Sequence, residues 1–265
     1  MLGVTRDAYY KRLERRKRRH VDEAVVLKLV ANVRKDEPRV GTRKLHHRLK
    51  PTLVRSGMSV GRDRLFCILR DTDKLVKPKK SYQKTTYSRH SYVTAPNLVK
   101  GRKPSDVGRV LVSDITYVRL NGRFAYLFLT TDMYSRMIVG YHVSLDLSHY
   151  SALIALQMAV SRIGKTDGVI HHSDRGSQYC CHEFRAALES NNMLSSMTDE
   201  AHCYQNAIAE RVNGILKDEF DLDSVFPDFY ELRAAVTRAI MVYNTKRIHF
   251  SLGLRTPMEV YKLTA

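Results

Sequence analysis

The 265-residue chain carries 45 Lys+Arg against 27 Asp+Glu, a formal net charge of +18, and 43% of its residues are hydrophobic, enough to build a core. No apolar run is long enough to span a bilayer and neither end carries a secretory or lipidation pattern, which argues against a membrane or exported protein and for a soluble, cytoplasmic one. The four cysteines, Cys67, Cys180, Cys181 and Cys203, form no CxxC pair, so reduced thiols are expected rather than a disulfide framework or a zinc module.

Charge divides the chain. Residues 1–105 hold 29 Lys+Arg against 9 Asp+Glu, whereas residues 106–265 hold 16 against 18. The front half therefore suits a polyanion such as a nucleic-acid backbone, bound by release of counterions and without reading sequence.

Residues 1–20 read as a basic helical segment in which Arg15, Arg16, Arg18 and Arg19 offer cations to phosphates; the ordinary alternative is a solvated helix face. Residues 21–76 read as three short helices. The first runs from Asp22 to Lys35, the second follows Gly41 and ends near Lys50, and the third begins at Ser59 or Gly61. A Gly-containing link between basic helices suggests a helix-turn-helix, with Arg62 and Arg64 at the front of the third helix approaching the major groove. Residues 77–105 have no sustained periodicity and read as an extended basic linker whose Tyr82, Tyr87 and Tyr92 are candidates for stacking on bases.

From residue 106 the pattern turns to strands. Runs over Arg109–Leu120 and Phe124–Thr131 flank Asn121-Gly122, a hairpin signal, and a third run covers Met137–Ser144. A helix over Ser151–Ile163, a strand over Val169–His172, a helix over Cys181–Asn191, a strand over Leu194–Thr198 and a helix from Asn206 complete an α/β unit over 106–222. Residues 223–265 add an amphipathic helix, Asp228–Tyr243, and a tail, YNTKRIHFSLGLRTP, expected to cover the site or touch DNA.

Three acids stand out in this second half. Asp114 sits inside a strand pattern that disfavours it, Asp174 follows a short buried strand beside the turn residues Arg175 and Gly176, and Glu210 shares a helical stripe with Asn206, Asn213, Gly214 and Lys217. Carboxylates drawn together from two strands and a helix repel unless a cation neutralises them, and oxygen donors of this kind select Mg²⁺, or Mn²⁺. Two such ions can serve an in-line phosphodiester displacement. Each acid also has a plain structural reading, and their spacing alone does not decide between the two. His171, His172 and His249 are candidate proton carriers that are more commonly structural at strand ends.

Five ordered stretches decide it: SDITYV, DMYSRMIVG, HHSDRGSQY, NAIAERVNGILKDE and YNTKRIHFSLGLRTPMEVY. Together they resemble the landmarks of the integrase-like DDE transposases of insertion sequence family three, specifically the product of the second reading frame. The resemblance implies a ribonuclease-H-like mixed-sheet catalytic core behind a small basic all-α region. It also implies that Asp114, Asp174 and Glu210 are the catalytic metal-binding acids, and that Lys217 lies near bound DNA. It implies strand cleavage and 3′-hydroxyl strand transfer at element ends, through two Mg²⁺ (or Mn²⁺) ions per site. The implied partners are double-stranded DNA, further copies of the chain and an upstream-frame protein or fusion, in the cytoplasm at the nucleoid. Gln205, Ile248 and the absence of tryptophan depart from the pattern without touching the three acids. A non-catalytic DNA-binding regulator, or decayed copy, and a ribonuclease-H-like nuclease without joining activity are the alternatives.

Overall fold

The computed structural model describes residues 5–77, 92–101, 103–199 and 206–264, with the side chains of 15–21 and 264 excepted. Tyr82, Tyr87, Cys203 and Gln205 lie outside the described residues. The chain divides into two compact units at residue 79.

In the first unit α1 (Arg6–Arg34), α2 (Thr42–Arg55) and α3 (Arg62–Asp71) pack around Val26, Val30, Val40, Leu45, Leu49, Leu53, Leu65 and Leu69. The basic segment and the first bundle helix, expected separately, are one helix of 29 residues. Arg, Lys and Glu around the expected break are all good helix formers, and neither Gly nor Pro interrupts them. Among the described side chains of α1, those from Val26 onward supply its buried core residues, and residues 5–14 are exposed. Glu37, buried in the bend after α1, takes an ion pair from Arg48 of α2, so one basic residue of the unit is committed to the interior.

The second unit is built on one mixed sheet. β1 (Val110–Leu120) and β2 (Arg123–Asp132) form the expected antiparallel hairpin around Asn121-Gly122, where Gly122 adopts φ 75°. β3 (Ile138–Ser144) continues antiparallel to β2, whereas β4 (Ile170–Ser173) runs parallel to β1 and β5 (Leu194–Met197) parallel to β4, giving the order β3-β2-β1-β4-β5. A two-residue β6 (Val225–Phe226) pairs with the end of β1.

Alternation along β1 sends Leu111, Ser113 and Ile115 to one face and Val112, Asp114 and Val118 to the other. The first face is covered by α4 (His149–Ile163), the short α5 (Ser177–Cys180) and α6 (His182–Ser190). Gly140 of β3 lets α4 in, since a Cβ there would lie 2.0 Å from the Ala155 carbonyl. The second face is covered by α7 (Ala207–Glu219) and α8 (Phe229–Thr245), through Val212, Leu216, Val236, Ile240 and Tyr243.

Two stretches behave differently from expectation. The segment read as linker over 77–105 is already part of the second unit from residue 92 on, where it is described: Leu98 donates to Ser196 Oγ at 2.9 Å, and Val99 packs with Val110, Val112 and Ala209. The tail is an internal lock. Asn244 pairs with both backbone groups of Ile138 at 2.9 Å, finishing the edge of β3 as a strand residue would. Arg247 grips Glu219 at the end of α7 through two bonds of 2.9 and 2.7 Å. Thr256 and Glu259 then cap α9 (Pro257–Thr264).

Candidate active site

Asp114 stands mid-strand on β1, opposite Leu129 of β2, on the face that α7 covers. The next strand, β4, pairs Val112 with His172, so the chain leaves β4 beside Asp114 and delivers Asp174 just past its C-terminal end. Asp174 Oδ1 accepts the Gly176 amide at 3.0 Å, which ties the carboxylate to the turn that follows β4. A Cβ on Gly176 would sit 3.1 Å from that oxygen, so the turn leaves little space for a larger residue.

The electrostatics show which acids meet. Although Asp114 as a whole is only half-buried, its carboxylate is desolvated, and that burial, then the charge of Asp174, pushes its pKa up to about 7. Hydrogen bonds from Asn213 Nδ2 to Oδ2 at 2.7 Å and from the Ile115 amide to Oδ1 at 3.0 Å work the other way. Glu210, exposed in the first turn of α7, adds the smallest of the raising effects. Asp114 and Asp174 are thus brought together, with Glu210 within electrostatic reach. Among the described residues no three His, Cys, Asp or Glu side chains are gathered closely enough to hold a metal ion.

The donor set nevertheless fits a hard divalent cation. Two carboxylates lie within electrostatic reach of each other with a third acting more weakly, and the amide oxygens Oδ1 of Asn206 and Asn213 are buried without a hydrogen-bond partner. The remaining amide groups are spent on β1: Asn206 Nδ2 donates to the Ser113 carbonyl at 2.9 Å, and Asn213 Nδ2 to Asp114. Both asparagines lie on the stripe that carries Glu210 and Lys217, where sequence reasoning assigns neither a role. The signal was that stripe itself, polar at every turn of a helix whose other side is apolar.

Lys217 is half-buried on α7 and feels Asp114: burial lowers its pKa, and the negative charges of Asp114 and Asp223 oppose that. The histidines belong to the scaffold. His171 lies against the rings of Tyr179 and Phe184 with Nε2 2.9 Å from Ser113 Oγ, and burial followed by the neighbouring His172 pushes its pKa down to about 3, leaving it neutral. His172 Nδ1 meets Ser196 Oγ at 2.9 Å, and His249 stands edge-on to Tyr243.

In the first unit, Arg62 is bonded to the neighbouring Asp63 at 2.8 Å and Arg64 is paired with Glu23 of α1. Arg15, Arg16, Arg18 and Arg19 lie along α1, with side chains outside those described.

Residues 104–203 match the integrase core domain family, and residues 191–257 match a second family of the same description. The chain is 34% identical over 262 residues to the insertion element IS600 uncharacterized 31 kDa protein of Shigella sonnei, covering 97% of this chain and 94% of that protein. It is 28% identical over 269 residues to transposase InsF for insertion sequence IS3A of Escherichia coli K12, covering 98% and 91% respectively. Among solved structures it superposes on the simian T-cell lymphotropic virus intasome in complex with PP2A regulatory subunit B56 gamma, with a TM-score of 0.52 and 17% identity over 83% of this chain and 74% of that one. That likeness is one of fold: a ribonuclease-H-like mixed sheet of the integrase core kind, here behind a helical front unit.

Proposed function

From the premise that this chain belongs to the IS3-family integrase-like transposases, enzymes of the polynucleotidyl transferase kind, we propose that Asp114, Asp174 and Glu210 are its catalytic acids. The observation that supports this is the charge of Asp174, just past β4, acting on the buried carboxylate of Asp114 on β1, with α7 laying Asn213 against the latter.

Asp114, Asp174 and Glu210 would hold Mg²⁺, with Mn²⁺ as the alternative and two ions in the full site. Bound there, such ions make an attacking oxygen more nucleophilic and stabilise the oxygen that leaves. The protein's own part is positional and electrostatic. Asp114 must be ionised to act, and Asn213 favours its ionised form while fixing its orientation. Lys217, on the same helix face, sets a positive charge beside the acids, where a DNA phosphate is to be drawn in.

The reaction proceeds in two displacements. Water attacks the phosphodiester at an element end, the bridging 3′ oxygen leaves, and a 3′-hydroxyl is freed. That hydroxyl then attacks a second phosphodiester, whose own 3′ oxygen departs, so this second step forms one phosphodiester for the one it breaks. No side chain is a covalent nucleophile. Double-stranded DNA is the substrate, contacted in addition by the basic front unit, including the arginines of α1 and those at the head of α3. Further copies of the chain pair the two ends, and an upstream-frame protein, separate or fused, supplies recognition of the end sequence.

The test offers a precut 3′-hydroxyl end with target DNA and Mg²⁺ to the wild type and to Asp114→Asn, Asp174→Asn and Glu210→Gln. Joined product from the wild type alone is expected. Equal joining by all four proteins removes the assignment.

A further inference from the structure

The first unit sorts its basic side chains into those it uses internally and those it leaves outside. Arg48 is paired with buried Glu37, Arg64 with Glu23 and Arg62 with Asp63, while Arg34 and Arg39 donate to the carbonyls of Lys74 and Lys77 at 2.8 and 2.7 Å. The two arginines at the head of α3 are therefore already matched to carboxylates.

On α2 the situation is reversed. Arg43, His47 and Lys50 are exposed and make no hydrogen bond or ion pair with the described residues. At 100° per residue their positions fall within an arc of about 60°, one straight stripe along the helix. Val54, 65% exposed, prolongs the same stripe at the next turn. The opposite side of the helix holds the core residues Leu45, Leu49 and Leu53. In α2 and α3 together, Asp63 is the one acid before Asp71 closes α3, and it is the partner of Arg62. Nothing on α2 competes with an anion for this face.

We propose that the Arg43–His47–Lys50 face of α2 is a docking surface for the sugar-phosphate backbone of duplex DNA. This rests on the reading that the chain works on duplex DNA, and it moves the main contact of the front unit from the head of α3 to α2. The arrangement suits a helix-turn-helix, in which the first of the two helices crosses the backbone while the second faces the groove. Cations spaced one turn apart follow successive phosphates, and the exposed valine suits the apolar side of the sugars. Contacts of this kind position the protein and carry no sequence preference.

The test uses the full chain and two unrelated duplexes, measuring binding by fluorescence anisotropy across a salt series. Arg43→Gln/Lys50→Gln is compared with Lys165→Gln/Lys262→Gln, which removes the same charge from the second unit. All four residues are exposed, and unchanged melting temperatures verify the fold. Losing two phosphate contacts should lower the slope of log K against log salt by about 2 and weaken binding on the order of 50-fold at 0.1 M salt, equally on both duplexes. The control should keep the wild-type slope. If the α2 variant behaves like the control, the α2 surface is wrong while the reading of a DNA-acting enzyme stands. A loss confined to one duplex overturns backbone docking in favour of base reading. A wild type that binds neither duplex at low salt overturns both this proposal and the reading beneath it.

Discussion

Asn213 on α7 donates its amide to Asp114 Oδ2 on β1 at 2.7 Å, so the helix that carries Glu210 is tied directly to the strand that carries the first acid. The bond does two things at once. It fixes the distance between helix and strand, and it favours the ionised carboxylate against the burial and the Asp174 charge that push the pKa up to about 7.

Replacing Asn213 with alanine removes that support, and the Asp114 pKa rises further. Because the ionised form is the active one in the proposed mechanism, joining should fall most on the acid side of neutrality and recover partly at higher pH. A hydrogen bond to a charged group contributes about 1.5–3 kcal/mol, so activity near pH 7 should drop roughly tenfold or more. A pH–rate profile of strand transfer for the two proteins tests this. Profiles of the same shape, differing only in height, would mean that the amide merely packs.

The same carboxylate makes metal-free stability depend on pH. Asp114 has a folded pKa of about 7 against an ordinary value of 3.8, so the folded state holds the proton more tightly than the unfolded chain. Its favourable contribution is complete below the unfolded value and is lost as pH rises through the folded one. With chelator present, the wild type should therefore lose melting temperature relative to Asp114→Asn between about pH 4 and 7, with a constant gap above that. Adding Mg²⁺ at pH 8 should raise the wild-type melting temperature and leave Asp114→Asn nearly unchanged, since only a ligand that prefers the folded state stabilises it. Parallel melting curves across the pH range would remove Asp114 as the strained group.

Much of this site could be read from the residues in order, and the part that could not has a physical reason. Asn121-Gly122 announced the hairpin because its backbone demands a positive φ, and the acid inside β1 announced itself by breaking a strand pattern. The stripe on α7 was visible too, yet polarity alone cannot tell a face turned to water from one turned to a buried carboxylate. Glu210 is exposed, whereas Asn213, one turn on, is 5% exposed against Asp114. Pairings across long separations left no local mark: Arg64 meets Glu23 over 41 positions, and Leu98 meets Ser196 over 98. The front of the second unit reads as linker for the same reason, since isolated contacts by Ala95, Leu98 and Val99 have no period.

Two glycines should respond in opposite directions to the same change. Gly140→Ala would drive a Cβ to 2.0 Å from the Ala155 carbonyl and 2.9 Å from the Ala159 amide, forcing α4 off β3. A loss of about 3 kcal/mol or more is expected, through overpacking of a contact made by backbone atoms that cannot step aside. Gly214 lies within α7, and a Cβ there would meet nothing within 4 Å. Gly214→Ala should gain up to about 1 kcal/mol from helix propensity. Chemical denaturation of both variants checks the pair, and a stable Gly140→Ala would show that α4 can move away at little cost.

The tail motif can be tested separately from DNA, because its asparagine completes the sheet. Asn244 Oδ1 accepts the Ile138 amide and its Nδ2 donates to the Ile138 carbonyl, both at 2.9 Å in a buried setting. Asn244→Ala would leave the Ile138 amide without its side-chain acceptor and its carbonyl with the Arg162 guanidinium at 3.2 Å, a cost of roughly 1–3 kcal/mol. Asn244→Asp keeps the acceptor for the amide but sets a second oxygen against the carbonyl, so it should destabilise at least as much although it is close in shape. Thermal melts of the two variants, with DNA binding measured well below the transition, separate the two readings of the tail. Lower melting temperatures with unchanged DNA affinity are expected, whereas wild-type stability with weakened binding would return this residue to the nucleic-acid surface.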